Sequence, residues 1–427
     1  MITRSRLRTI GGIALPIIGG MVSQNVVNLV DTAMVGTLGT SALASVAIGT
    51  YATFLATSVV IGLSSGVQTM VARRIGEGRG DEAAVPLNGG LFLALLISLP
   101  LIAVAVTFSG DVFALMNNDP AVIEQGVDYL DARLFGILAV GLNFAFRGYF
   151  NGMRLTKVYL YTLLVMHLCN IVLNYVLIFG HFGFPAMGAL GAGIASTAAE
   201  YLGVLIFGIL AFRLARQRGF LSRIPRRETL ATMLRLGLPS ALREFLFAGS
   251  LTVQMWIFGL MGTAEVAVSA VVINLFLVAY LPALGLGLAT LTLVSEAVGR
   301  KDLADARRWG WEASIITAVT LGALGAVAVF FPDLIMSGFL HDPETLALAH
   351  GPFIVMGLFV GATGVSLTLS NALLGAGAAR LVMVISVAPR WLISLPLTWW
   401  LGPYLGLSLT LVWTANFSVG LLQMLWL

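Results

Sequence analysis

The chain predicts an all-α polytopic membrane protein with twelve transmembrane helices in two pseudo-symmetric six-helix lobes. An apolar composition, a periodic placement of basic residues and an internal repeat predict it. Of 427 residues, 58% are hydrophobic and 10% charged, with a mean hydropathy of +0.96. An ordinary soluble domain is about a quarter charged. Apolar runs of roughly 20 residues, each enough to cross about 30 Å of hydrocarbon, follow one another from end to end. A porin-type barrel would instead show short alternating segments. The single cysteine, Cys169, lies inside an apolar run, which excludes an intrachain disulfide and a Cys-rich metal site.

The runs place the spans at about 10–35, 43–72, 86–108, 122–151, 157–180 and 188–214, then at about 229–258, 265–296, 309–331, 345–374, 381–400 and 403–427. The start is basic (Arg4, Arg6, Arg8), but the apolar stretch behind it lacks a small-residue cleavage site and carries Asp31. It reads as the first span, not as a removable signal peptide.

Nearly all Lys and Arg residues fall at the N-terminus or at every second connection: Arg73, Arg74 and Arg79; Arg147, Arg154 and Lys157; Arg213 through Arg235; Arg300, Lys301, Arg307 and Arg308; Arg380. The alternate side carries Asp111, Asp119, Glu124, Asp333, Asp342 and Glu344. Lys/Arg bias sets orientation, so both termini are expected in the cytoplasm. The positive net charge is then a topology signal rather than a nucleic-acid face. Arg133, Arg243 and Arg390 are the exceptions, with Arg243 and Glu244 expected to open the seventh span near the cytoplasmic face.

The longest hydrophilic stretch lies between Arg213 and Arg235 and divides the chain into an N-lobe (1–212), a basic linker (213–228) and a C-lobe (229–427). The chain can be slid along itself until Leu15-Pro16 meets Leu238-Pro239. The same offset aligns Gly36-x-x-Gly39-Thr40 with Gly259-x-x-Gly262-Thr263, Gly62-Leu63 with Gly285-Leu286, and Gly152 with Gly375. Each half starts on the same side, so the repeats are parallel. Transporters of this build hold substrate between or within two lobes and alternate access by rocking them.

Ionisable residues within hydrocarbon are costly and are functional candidates by default. Asp31 leads them. Gln24, Asn28 and Asp31 follow one another at i, i+4 and i+7, forming one polar stripe on an apolar helix. The competing reading of Asp31 is an interfacial carboxylate hydrogen-bonded to neighbours; its repeat partner is the neutral Gln254. Asn170 and Asn174 of the fifth span lie one turn apart, with His167 a turn earlier, and together with Thr197 of the sixth span they are expected to complete a polar pocket. Membrane asparagines also simply tie helices together, and His167 reads as a packing residue. Glu200 and Arg390 show no partner in the sequence.

Enzymatic readings fail. Gly62-Leu-Ser64-Ser-Gly66 matches a nucleophile elbow, but that motif needs a strand-to-helix turn, and here it lies within an apolar helix. No Walker A sequence supports ATP coupling, so no cofactor is expected beyond an ion gradient.

Asn28-Leu-Val-Asp31-Thr-Ala-Met-Val-Gly36-Thr-Leu-Gly39 resembles the first-span signature of the multidrug and toxic compound extrusion (MATE) family. Ala72-Arg73-Arg74-Ile-Gly76-Glu-Gly78 and Asn170-Ile-Val-Leu-Asn174-Tyr175 are similar to its second- and fifth-span motifs, and the prokaryotic DNA-damage-inducible-F-type branch is the most similar. The resemblance implies export of small organic cations or amphipathic drugs in exchange for protons, with sodium as the other coupling ion. It makes Asp31 the proton-coupling residue, and Gln24, Asn28, Asn170, Asn174 and Thr197 its cavity partners. A multi-pass protein of a prokaryotic cytoplasmic (inner) membrane, working as a monomer, is expected. Two departures matter. Asn174 stands where the family often has aspartate, and the seventh and tenth spans lack the acids of a C-lobe sodium site. The rival within the wider superfamily is a flippase for lipid-linked oligosaccharide, whose anionic substrate calls for a basic cavity; only Arg243 and Arg390 would serve.

Overall fold

A computed structural model of the protein describes residues 2–427, and those residues form helices and turns with no strand among them. Eleven helices are each long and apolar enough to cross a membrane, and one bent pair supplies a twelfth span. The first six spans are Arg4–Gly36, Thr40–Gly76, Gly80–Thr107, Pro120–Leu134 with Ile137–Gly152, Thr156–Phe179 and Gly188–Arg218. The second six are Arg227–Met261, Thr263–Gly299, Leu303–Phe330, Pro343–Ala376, Ala379–Tyr404 and Leu409–Trp426. Large apolar side chains such as Leu96, Phe330 and Leu392 stand more than half exposed. A bilayer solvates such a surface; water does not.

The spans begin and end where side chains satisfy the free backbone groups of a helix terminus. Asp302 accepts from Asp305 N at 2.9 Å. The ninth span therefore starts at Leu303, ahead of the expected 309, and takes Arg307 and Arg308 into the helix. Asp342 accepts from Thr345 Oγ1 at 2.7 Å and Thr345 N at 2.9 Å, and these bonds hold its carboxyl below the usual carboxylate range. Gly180 and Gly377 end helices in the left-handed conformation, with φ of 76° and 96°. The eleventh span runs on to Tyr404 through π-helical turns at Arg390–Ser394 and Trp400–Tyr404. That extension delays the twelfth span to Leu409, beyond the expected 403. The seventh span starts at Arg227, so Arg243 and Glu244 lie deep within it instead of opening it.

The repeat is also present in the backbone. Thr40 and Thr263 open the second and eighth spans, and Pro120 and Pro343 open the fourth and tenth. Both pairs are related by the offset that brings Pro16 onto Pro239. A Cβ on Gly152 would lie 2.9 Å from Gln68 O, and one on Gly375 would lie 2.7 Å from Leu291 O. Gln68 and Leu291 are themselves related by the same offset. Only glycine allows such an approach of two membrane helices.

Two compact units result, but their limits differ from the expected 212 and 229. One unit is Gly19–Leu242; the other joins the segment ending at Ile18 to Arg243–Leu427. The opening portions of the first and seventh spans are thus exchanged. Pro16 and Pro239 lie just before the two crossing points, where a missing backbone hydrogen bond lets a helix bend. In the second unit Arg6 pairs with Asp305 at 2.7 Å and with Glu312, and lies 3.5 Å over the Trp309 ring. Ala14 O lies 3.3 Å from a Cβ on Gly285. In the first, a Cβ on Gly62 would overlap Gly237 O and lie 2.8 Å from Ala241 N.

Gly62→Val should therefore force the second and seventh spans apart, at a cost of about 1–3 kcal/mol. Thermal denaturation of the purified protein in detergent checks this against Gly11→Ala, where a Cβ meets nothing within 4 Å. Equal melting temperatures for the two variants would remove the close approach as a source of stability.

Candidate transport site

Asp31 lies on the first span, just before its end at Gly36. Its Oδ1 accepts from Asn174 Nδ2 at 2.6 Å, and the same amide donates to Asn170 Oδ1 at 3.3 Å. Asn170 Nδ2 donates in turn to Ser196 Oγ of the sixth span at 3.2 Å. Both asparagines are buried. Their i, i+4 spacing puts them on one face of the fifth span, so a single bond to Asp31 continues as a chain across three helices.

A second set of bonds joins the same two spans nearer the basic end. His167 places Nδ1 3.0 Å from Ser23 Oγ and Nε2 3.0 Å from Gln24 Oε1. Gln24 Nε2 donates to Asn28 Oδ1 at 3.1 Å. The polar stripe on the first span is thus real, but its members divide. Asp31 belongs to the asparagine chain, whereas Gln24 and Asn28 belong to the His167 bridge, with both amides exposed.

Thr197 does not bond to this pocket. Its Oγ1 donates to Ala132 O at 2.8 Å, and Tyr201 Oη donates to Phe135 O at 3.0 Å. The fourth span breaks between Leu134 and Ile137 with a 40° bend, which frees backbone carbonyls that hydrocarbon cannot satisfy. Sixth-span hydroxyls cap them. Gly136 sits at the break because a Cβ there would lie 2.7 Å from Glu200 Oε2 and 3.0 Å from Thr197 Oγ1.

The break also positions a pair absent from the expected site. Arg133 Nη1 lies 3.2 Å from Glu200 Oε1, and both side chains are largely buried. The Arg133 guanidinium acts electrostatically on Asp31 as well. Glu200 and Arg133 were each visible as a lone charge within a span, and opposite charges inside hydrocarbon are expected to find each other. The sequence lacked only the bend that makes them meet. Among the described residues no cluster of three or more His, Cys, Asp or Glu side chains is placed to hold a metal ion.

The family model described as MatE matches residues 16–176 and matches again over 239–400. The chain belongs to the MatE family. The two matches start at the two prolines that the repeat superposes, Pro16 and Pro239, so each half carries a MatE match of its own. A "Probable multidrug resistance protein NorM" of Xanthomonas campestris pv. campestris is 30% identical, covering 95% of this chain and 92% of its own. A protein of the same description from Thermotoga maritima is 26% identical over 94% and 87%. Among solved structures, one titled "Crystal structure of MATE in the straight conformation" superposes with a TM-score of 0.89 at 20% identity, covering 98% of this chain and 94% of that one. An "Outward-facing conformation of a multidrug resistance MATE family transporter of the MOP superfamily" gives 0.89 at 20%, over 98% and 94%. The MatE chain is a multi-pass membrane transporter, not an enzyme.

In this MatE protein Asn174→Leu should remove both donated bonds and leave Asp31 without its donor, a loss of about 1–3 kcal/mol. Thr197→Val, by contrast, uncaps one carbonyl away from the acid. Unfolding of the two variants, followed together with ethidium transport in proteoliposomes, separates the roles. Asn174→Leu is expected to impair both stability and transport, and Thr197→Val stability alone. Transport lost equally in both would return Thr197 to the pocket.

Proposed function

We propose that this transporter is a multidrug efflux pump that exports amphipathic organic cations in exchange for protons carried by Asp31. It works as a single chain in a prokaryotic cytoplasmic membrane, with both termini on the cytoplasmic side. The observation that carries the coupling is the Asp31–Asn174 bond at 2.6 Å, an ionisable group within a span tied to one neutral donor. Drug efflux is supported by the relatives' printed descriptions, and the orientation by the basic residues at alternate connections.

One carboxylate can serve both ions in turn. Ionised, Asp31 attracts a cationic substrate; protonated, it is neutral, so proton uptake cancels that attraction and releases the cation. A hydrogen bond to a charged acceptor is roughly twice as strong as one to a neutral acceptor. Protonation therefore also weakens the Asn174 bond and loosens the first span from the fifth. Arg133 is already paired with Glu200, which leaves Asp31 free to exchange a proton for a cationic substrate.

Sodium is the second reading, favoured by one feature. Asn174 Oδ1 is a buried acceptor with no hydrogen-bond partner among the described residues, and a carboxylate with amide oxygens suits a hard cation.

Proteoliposomes with a trapped pH-sensitive dye test both. Ethidium added under an imposed pH gradient should evoke proton movement in wild type, and Asp31→Asn should reduce it at least about tenfold. Unchanged movement in the mutant would dismiss Asp31 as the coupling group. Ethidium flux driven by a sodium gradient and not by a proton gradient would transfer the assignment to sodium.

A further inference from the structure

The second unit holds a partly open cavity of about 270 Å³ among the seventh, eighth, tenth, eleventh and twelfth spans. All its lining residues belong to that unit, and none takes part in the Asp31 site. Six of its lining side chains are aromatic: Phe247, Phe276, Tyr280, Trp391, Trp413 and Phe417. Trp413 and Phe417 stack at 5.4 Å between ring centroids, and Phe276 packs against Phe417 at 5.7 Å. Trp391 Nε1 donates to Leu246 O and Trp413 Nε1 to Ser269 Oγ, so the indole donors are spent on the protein.

Into this cavity the eleventh span brings Arg390, the first residue of a π-helical turn behind Pro389. Such turns interrupt the regular ladder and often mark functional sites. Arg390 Nε donates to Ser250 Oγ, and Nη2 donates to Gln254 Oε1 at 2.8 Å. The guanidinium lies 5.3 Å from the centroid of the Phe247 ring. Both acceptors are neutral. Among the described residues Nη1 makes no hydrogen bond, and no carboxylate lies within ion-pair reach of Arg390. The cavity's only acid, Glu244, is taken by Arg243 at 2.6 Å.

Gln254 is 1% exposed. An arginine can only donate, so the oxygen of this amide has to face Arg390, and its NH₂ then points elsewhere. Gln254 Nε2 is indeed buried with no partner among the described residues. Two neighbouring side chains therefore present unmatched donors, one of them carrying a full charge, in an apolar pocket within the membrane. A buried charge without a counterion is strongly unfavourable, and a planar carboxylate matches a guanidinium edge.

The repeat makes the contrast explicit. The offset that superposes Pro239 on Pro16 also brings Gln254 onto Asp31 and Arg390 onto His167. In the first half the acid sits on the first span, with an imidazole on the fifth. In the second half the acid has become an amide, and the imidazole a guanidinium. The same scaffold carries opposite charge in its two halves.

We infer that this cavity is a binding site for an amphipathic monoanion, a flat apolar body bearing one carboxylate, with the carboxylate on Arg390 Nη1 and the body against the aromatic side chains of the lining. The site lies beyond the proposed Asp31 exchange and does not depend on it.

Equilibrium dialysis of the full chain in nanodiscs, against empty nanodiscs near neutral pH, tests the site with 2-naphthoate and its neutral isostere 2-naphthamide. Wild type should bind the carboxylate at least about tenfold tighter than the amide. Arg390→Gln should abolish that preference and Arg390→Lys retain part of it. Gln254→Glu installs an internal carboxylate beside Arg390, which preserves the fold through an ion pair, and should abolish the preference as well. Asp31→Asn should leave it unchanged, so failure here is distinct from failure of the proton-exchange reading. Competition by laurate would extend the site to fatty acids and still support the carboxylate requirement. Equal binding of naphthoate and naphthamide to wild type, or a preference that survives both Arg390→Gln and Gln254→Glu, overturns the inference.

Discussion

The bond from Asn174 to Asp31 joins the first span to the fifth, and the polar chemistry of the first unit is arranged around it. Hydrocarbon offers no hydrogen bonds, so every polar group placed there has to find its partner within the protein. Asn174 answers to Asp31 and Asn170, and Asn170 to Ser196. Arg133 and Glu200 neutralise each other close enough for the guanidinium to act on the acid. Asp31 itself is left with a neutral hydrogen-bond partner. Among the described residues the acid makes no ion pair of its own.

Duplication supplied the frame on which this chemistry diverged. Close helix contacts at Gly152 and Gly375 meet equivalent carbonyls in the two halves, because no larger residue fits and the backbones cannot drift apart independently. Side chains that only need a hydrogen-bond partner carry a looser constraint. Positions 31 and 254 hold an acid and an amide, and positions 167 and 390 an imidazole and a guanidinium. Each pair still bridges its own lobe, His167 to Ser23 and Gln24, Arg390 to Ser250 and Gln254. In both halves the same position bridges to the opening span, but Arg390 reaches the residue equivalent to Asp31, whereas His167 bonds Ser23 and Gln24 instead.

Exchange of the opening parts of the first and seventh spans gives each unit a helix segment from the other half of the chain. The segment before Pro16 is anchored by Arg6, whose partners Asp305, Glu312 and Trp309 lie on the ninth span. The segment around Pro239 is anchored by glycine contacts at Gly62 and Gly66. Each exchanged segment continues into the rest of its span as one helix with a proline near the crossing, and Asp31 lies on one of those helices.

Composition, the alternation of basic connections and the internal repeat were sufficient to determine twelve spans in two related halves, because length and hydropathy decide what crosses hydrocarbon. Asp31, Asn170 and Asn174 were legible for a related reason: polar residues in apolar helices are costly enough to stand out, and the i, i+4 rule places two of them together. Thr197 was legible as polar but not as a cap, since its partner is a carbonyl released by a bend that no single residue announces. The Arg133–Glu200 pair, the depth of Arg243 and Glu244, the exchange at the two prolines and the meeting of Arg390 with Gln254 were decided only by tertiary structure. Each depends on how helices distant in sequence cross and rotate, and packing sets those angles through contacts that have no local signature.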